Sequence, residues 1–228
     1  MADPTAKLSE ADHDRVSTAV SAAEARSAGE IVTIVTERSD GYWDVALAWA
    51  ALVAATALLA LSLFPDFYLG LVDRLTGAWA NEWTPGEVFA VALGVATLKF
   101  LGMLALQLWQ PLKYFLIPPP VKARRVLVRA ITCFKVGAER RTHGRTGILI
   151  YLSLREHRAE IVADAAIVSK VAPEVWGEAM AAMLVEIKAG RLADGMIAAV
   201  ERVGAVLAEH FPRAEDDRNE LPDRLIEL

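Results

Sequence analysis

At 228 residues with one cysteine and a net charge of −5, the chain has room for one ordinary soluble domain and something more. The acidic balance, with no Lys/Arg stripe interleaved with aromatics, excludes a nucleic-acid partner, and the single Cys133 excludes an intrachain disulfide and fits a reducing compartment. An apolar share of 54% is too high for a uniformly soluble protein, and the excess is concentrated in two stretches.

Residues 8–28 predict a helix. Ser9 with Asp12 has the form of a capping box, Val16, Ala19, Val20 and Ala23 make an apolar stripe, and Gly29 suits the position just past a helix end. The β-branched run Ile31 to Thr36 predicts a short strand. Residues 45–64 then carry no charge and nothing more polar than Thr56 and Ser62, enough for a helix across a hydrocarbon core of about 30 Å at about 1.5 Å per residue. A second span at 88–108 carries Lys99 near its middle, which costs on the order of 3 kcal/mol on insertion scales and is offset by its apolar neighbours. Trp43, Trp79, Trp83 and Trp109 fall at or beyond the span ends, where indole rings favour the interface. Ala46, Ala50 and Ala54, and also Ala51 and Ala55, with Ala90 and Gly94, would let the two helices approach as a hairpin.

Between the spans, Arg74 stands against Asp66, Asp73, Glu82 and Glu87, whereas Lys113, Lys122, Arg124, Arg125 and Arg129 follow the second span and Arg38 precedes the first. The spans predict an integral membrane protein, expected in a bacterial inner membrane, and this asymmetry predicts the loop outside and both termini in the cytoplasm. Some forty polar, patterned residues before the first span argue against its being a cleaved signal.

Pro118-Pro119-Pro120 predicts a stiff break, and 121–140 an amphipathic helix with Leu127, Ala130, Ile131 and Phe134 on its apolar face. Gly147 to Leu154 and Ala159 to Asp164 read as an antiparallel hairpin of strands, followed by helices at about 173–189 and 191–210. Residues 213–228 read as a charged, mobile tail with a short turn at Leu225-Ile226. Neither soluble piece buries its apolar faces alone. The expected organisation is therefore a discontinuous α/β domain, 1–40 plus 121–212, interrupted by a transmembrane hairpin at 41–117.

The runs Leu8-Ser9, Ser27-Ala28-Gly29-Glu30-Ile31-Val32 and Arg145-Thr146-Gly147-Ile148-Leu149-Ile150-Tyr151 are followed by Glu160-Ile161-Val162-Ala163-Asp164 and Pro173-Glu174-Val175-Trp176. Ala189-Gly190-Arg191-Leu192-Ala193-Asp194-Gly195 and His210-Phe211-Pro212 complete the series. In order and spacing the series resembles the TPM domain, named for a thylakoid lumen protein and related bacterial membrane proteins. The resemblance implies an α/β sandwich, a small sheet with helices on both faces. Some relatives are described as phosphatases and some bind a divalent cation, so it also implies a metal-dependent, phosphatase-like hydrolase with Ca²⁺ or Mg²⁺ as cofactor. The α/β segments of this chain lack the adjacent aspartates of metal-binding relatives.

Metal-assisted hydrolysis needs clustered carboxylates. Glu30 before one strand and Asp164 after another are the candidate metal ligands, since both would meet at one end of the sheet. His13, His143, His157 and His210 have no ligand-type spacing; His210 suits a helix C-terminus, and Arg145-Thr146-Gly147 suits a surface ion pair better than an anion site. Cys133 reads as a packing residue. Lys99 finds no acidic partner in either span, leaving Thr56, backbone carbonyls or another subunit. With no coherent catalytic set, the favoured expectation is a membrane-tethered interaction or assembly module. Its partners would be the lipid bilayer and a membrane or cytoplasmic protein, or a second copy in a homo-oligomer; the hydrolase is the alternative.

Overall fold

Ser9 opens the first helix, α1 (Glu10–Glu24). Its hydroxyl accepts the Asp12 N–H at 3.2 Å while the Asp12 carboxylate accepts the Ser9 N–H, also at 3.2 Å, which is the reciprocal box the sequence predicts. The chain continues through β1 (Glu30–Thr36), α2 (Trp43–Leu63), α3 (Pro65–Thr76), α4 (Pro85–Leu106), α5 (Gln110–Leu116) and α6 (Pro119–Gly137). After these come β2 (Gly147–Ser153), β3 (Arg158–Ala163), α7 (Ala165–Val168), α8 (Pro173–Lys188), α9 (Leu192–His210) and β4 (Ile226–Glu227). This computed structural model describes residues 8–77, 82–137, 146–213 and 223–228. The expectations for Trp79, His143 and Arg145, and most of those for the tail, lie outside the described residues.

The described residues form an α/β fold around one four-stranded mixed sheet, in the order β3-β2-β1-β4. β1 and β2 pair in parallel from Glu30↔Gly147 to Thr36↔Ser153, and β2 and β3 form the expected antiparallel hairpin. Strand residues alternate between faces. Ile31, Val35, Ile148 and Ile150 meet α1, α8 and α9, whereas Val32, Ile34, Leu149 and Tyr151 meet Val126, Ala130 and Phe134 of α6. Helices thus cover both faces of the sheet.

The chain divides into two compact units, one running to Asp40 and resuming at Pro119, the other being Gly41–Pro118. In the first, four expectations need correction. α1 stops at Glu24, and Gly29 is not its terminal residue. A Cβ at Gly29 would stand 2.8 Å from Leu207 Cδ1, so glycine there lets the chain pass close to α9. The expected break falls at Pro118, between α5 and α6, whereas Pro119 and Pro120 belong to α6, because the first helical turn needs no proline N–H. The last residues are neither mobile nor a turn: Leu225 is buried, β4 pairs in parallel with β1, and the Leu228 N–H reaches the Val35 carbonyl at 3.0 Å. β1 would otherwise offer an open edge, and the C-terminus covers it.

In the second unit, α2 and α4 are long and apolar enough to cross a membrane and pack side by side. Ala46 and Ala50 lie buried on the packed face, but Ala51, Ala55, Ala90 and Gly94 are exposed, so only one of the two candidate small-residue rows is used. The row is selected at the open ends of the helices. There Gln107 Nε2 donates to the Ala46 carbonyl (3.1 Å) and Trp49 Nε1 to the Leu116 carbonyl (3.0 Å). Lys113 Nζ donates to the Gly41 carbonyl (2.6 Å), and Tyr114 packs edge-on against Tyr42. Tyr42 takes a left-handed φ of 52°, uncommon for a residue with a Cβ, and its full burial against Tyr114 holds it there. The stretch expected as a plain loop holds α3, started by Pro65 and closed by Gly77 at φ 74°. α4 begins at a second capping box, Thr84 with Glu87.

Two substitutions test this packing. A Cβ at Gly204 on α9 would lie 2.5 Å from Ala23 Cβ on α1, so Gly204→Ala is expected to lower unfolding stability by about 1–3 kcal/mol in chemical denaturation. The Thr33 hydroxyl is buried in β1 without a hydrogen-bond partner among the described residues, and Thr33→Val is expected to raise stability by about 1 kcal/mol in the same assay.

Candidate functional site

Glu30 and Asp164 do lie at one end of the sheet, as the sequence predicts. Glu30 opens β1 opposite Gly147, and Asp164 follows β3 on the other side of that glycine. Two strand spacings, roughly 10 Å of backbone, separate them. Asp164 is committed to the fold: its Oδ2 accepts the Gly147 N–H at 3.1 Å and its own N–H reaches the Gly147 carbonyl at 2.9 Å. The neighbouring Thr146 hydroxyl donates to the Ala28 carbonyl at 2.7 Å, a structural bond that ties β2 to the chain entering β1. Among the described residues, no group of three or more His, Cys, Asp or Glu is placed to hold a metal ion.

The residue that sequence reasoning missed is Glu24. It ends α1 on the row set by Val16 and Val20, at the i, i+4, i+8 spacing of a buried face. That spacing was the available signal. Glu24 is buried, accepts the Ile31 N–H at 2.7 Å and hydrogen-bonds to the Asp223 side chain. Burial, with the nearby Glu30 and Asp223 carboxylates adding to it against the opposing Ile31 bond, pushes its carboxyl up to about 8. Glu24 and Glu30 line a pocket of about 220 Å³ with Ser21, Ser27, Arg213 and Asp223, and the Ser21 hydroxyl bonds to Asp223.

The opposite end of the sheet holds a second buried polar group. The Ser39 hydroxyl bonds to the Tyr151 hydroxyl (3.0 Å) and the Ser153 hydroxyl (2.9 Å); Glu156 accepts the Ser39 N–H (3.0 Å) and the Ser153 hydroxyl. Arg125 pairs with Asp40 beside it. These contacts fix the path of the chain as it leaves β1. Among the described residues, the partners of Ser39 and Ser153 in this network are Tyr151 and Glu156.

His13 lies 3.3 Å from Glu227, His157 turns the β2–β3 hairpin at φ 51°, and His210 ends α9, where a C-terminal position was expected. Cys133 packs against the α6 side of the sheet, and burial raises its thiol above the ordinary value. Thr56 donates its hydroxyl to the Leu52 carbonyl, and Lys99 is exposed on α4.

No family model and no curated protein matches this chain. Its fold is similar to that in an NMR structure of the BA42 protein from the psychrophilic bacteria Bizionia argentinensis sp. nov., with a TM-score of 0.56, 17% identity and 100% of each chain covered. At that identity the likeness shows the fold alone.

The Glu24 carboxyl gives this site a pH signature. Its folded pKa lies above the unfolded value, so from about pH 4.5 to about 8 the unfolded chain releases a proton that the folded chain keeps. Its contribution to stability therefore falls as pH rises through that window, at up to about 1.4 kcal/mol per unit, and levels off above it. Glu24→Gln keeps the acceptor for Ile31 and is expected to flatten this part of a stability–pH curve measured by denaturation.

Proposed function

We propose that the chain is a membrane-tethered module of TPM-like fold, in which α2 and α4 span the bilayer and the α/β unit binds or assembles with a protein at the cytoplasmic face. The observation that supports it most is the exposure of the two apolar helices. An apolar helix in a soluble core is covered by its neighbours, yet no residue of α4 is buried, and Leu52, Leu59, Phe89 and Leu93 point outward. At 21 and 22 residues these helices are about 32 and 33 Å long, against a hydrocarbon core of roughly 30 Å. A contiguous apolar surface of this kind suits lipid rather than water.

Orientation rests on the charges. The segment between the helices is acidic apart from Arg74, and the cations cluster after α4, which favours termini in the cytoplasm of a bacterial cell. In that arrangement α3 lies outside, with Phe67, Leu71 and Leu75 exposed as in a helix resting at an interface. The test replaces Cys133 by alanine and places one cysteine at Gly77 or Ser169, both exposed. In intact cells a membrane-impermeant maleimide is expected to label Gly77→Cys at once and Ser169→Cys only after permeabilisation. The reverse pattern inverts the orientation, and recovery of the chain in the soluble fraction removes the tether.

The interaction reading is supported by the absence, among the described residues, of a metal-ligand cluster and by the structural use of Asp164. The hydrolase reading comes from the TPM resemblance, with Glu30 as its remaining candidate in the Glu24 pocket. Thermal unfolding of the full chain in detergent with Ca²⁺ or Mg²⁺ separates the two. The interaction reading expects an unchanged midpoint; a saturable rise that Glu30→Ala abolishes, together with metal-dependent phosphoester hydrolysis lost in the same variant, supports the hydrolase.

A further inference from the structure

α6 uses one face for the sheet and leaves the other uncovered. Val126, Ala130 and Phe134 are buried, whereas Leu127, Val128 and Val136 are 41, 55 and 69% exposed. From Pro119 to Gly137 the helix has five cations and no acidic residue, in a chain whose net charge is −5. Two of the five are occupied within the domain: Arg125 pairs with Asp40, and Lys122 is half-buried near Glu156. Arg124, Arg129 and Lys135 are exposed. Arg124 and Lys135 fall on one side of the helix, about 16 Å apart along its axis, with Leu127, Val128 and Ile131 between them.

We infer that this outer face of α6 docks the α/β domain on an anionic phospholipid surface. The apolar residues enter the headgroup boundary while Arg124, Arg129 and Lys135 meet lipid phosphates. The pattern joins two recognised requirements of a surface-bound helix, an apolar strip and flanking cations. An acidic protein groove would match the cations but gives no reason for them to bracket an apolar strip, and α6 starts only twelve residues after the end of α4. The inference rests on the membrane-tether reading and adds that the domain lies against the bilayer instead of standing off it.

The experiment uses the full chain with Cys133→Ala, reconstituted in phosphatidylcholine vesicles with or without phosphatidylglycerol. A nitroxide is placed at Val128→Cys or, as an insertion control, at Leu93→Cys. Collision rates with oxygen and with a nickel chelate report depth. At position 128, phosphatidylglycerol is expected to raise oxygen collisions and lower nickel collisions. Each basic residue at an anionic surface favours docking about fivefold, so Arg124→Gln with Lys135→Gln should cut the docked-to-undocked ratio roughly 25-fold, while Arg124→Lys with Lys135→Arg should preserve it. A label at 128 that stays in water in both lipids while position 93 reports hydrocarbon overturns the docking inference and leaves the tether standing. A label shielded from both reagents, or an equal depth in both lipids, also overturns it, the first by indicating a protein contact. Water exposure at position 93 removes the tether and the docking together.

Discussion

The parallel pairing of β1 with β2 is the constraint on which the rest of the structure depends. Seven residue pairs, Glu30↔Gly147 to Thr36↔Ser153, join pieces of chain more than a hundred residues apart. Parallel strands need a long crossover, and here the crossover contains an entire second unit followed by α6. Loop closure costs grow only with the logarithm of length, so a long insertion adds little entropy once its ends are fixed. They are fixed on both sides of the boundary. Within the α/β unit, Arg125 holds Asp40 and Arg158 donates to the Pro119 carbonyl. Within the helical unit, Lys113 holds Gly41 and Tyr114 packs on Tyr42. An insertion clamped at its base behaves as a short connection to the sheet, whatever its length beyond the clamp.

The same pairing explains where the buried polar groups lie. Both edges of the β1–β2 ladder end in backbone groups that need partners when buried, and the domain supplies carboxylates to meet them. Asp164 serves Gly147 and Glu24 serves Ile31 at one end; Glu156 serves Ser39 at the other. Each carboxylate accepts a main-chain N–H, and that is a sufficient reason for its presence. Burial of Glu24, with Glu30 and Asp223 adding to it, pushes its carboxyl up so that the proton is held more tightly. These are the groups a search for catalysis would select first, yet their geometry is that of caps.

Much of the fold was legible because its signals are local. The Ser9–Asp12 box, the β-branched run of β1, the β2–β3 alternation and the uncharged stretch of α2 each declare themselves within a few residues. Gly29 was misread because its purpose is distant: the contact with Leu207 on α9 has no trace in the residues around it. The C-terminal strand was missed for a similar reason, since two residues of β4 are too short to show a period and gain their order from the β1 edge. Ala90 and Gly94 show the opposite hazard, a local pattern with no tertiary use. At the candidate site, sequence reasoning placed Glu30 and Asp164 at one end of the sheet, where the strand register puts both. It could not tell that Asp164 is spent on Gly147, because an acceptor's occupancy is decided by register, and it passed over Glu24 although the helical spacing with Val16 and Val20 marked it.

α2 turns Ala46 and Ala50 inward where it packs beside α4, with Gln107 at the end and its amide used on the Ala46 carbonyl. Their single interior charge, Lys99, is exposed on α4 rather than turned toward α2. A Lys about seven residues from the end of α4 lies roughly 10 Å from that end, part of which its own side chain spans. The hydrogen bonds that tie α2, α4 and α5 together lie at the ends where the chain enters and leaves this unit, and the faces between are left to apolar packing.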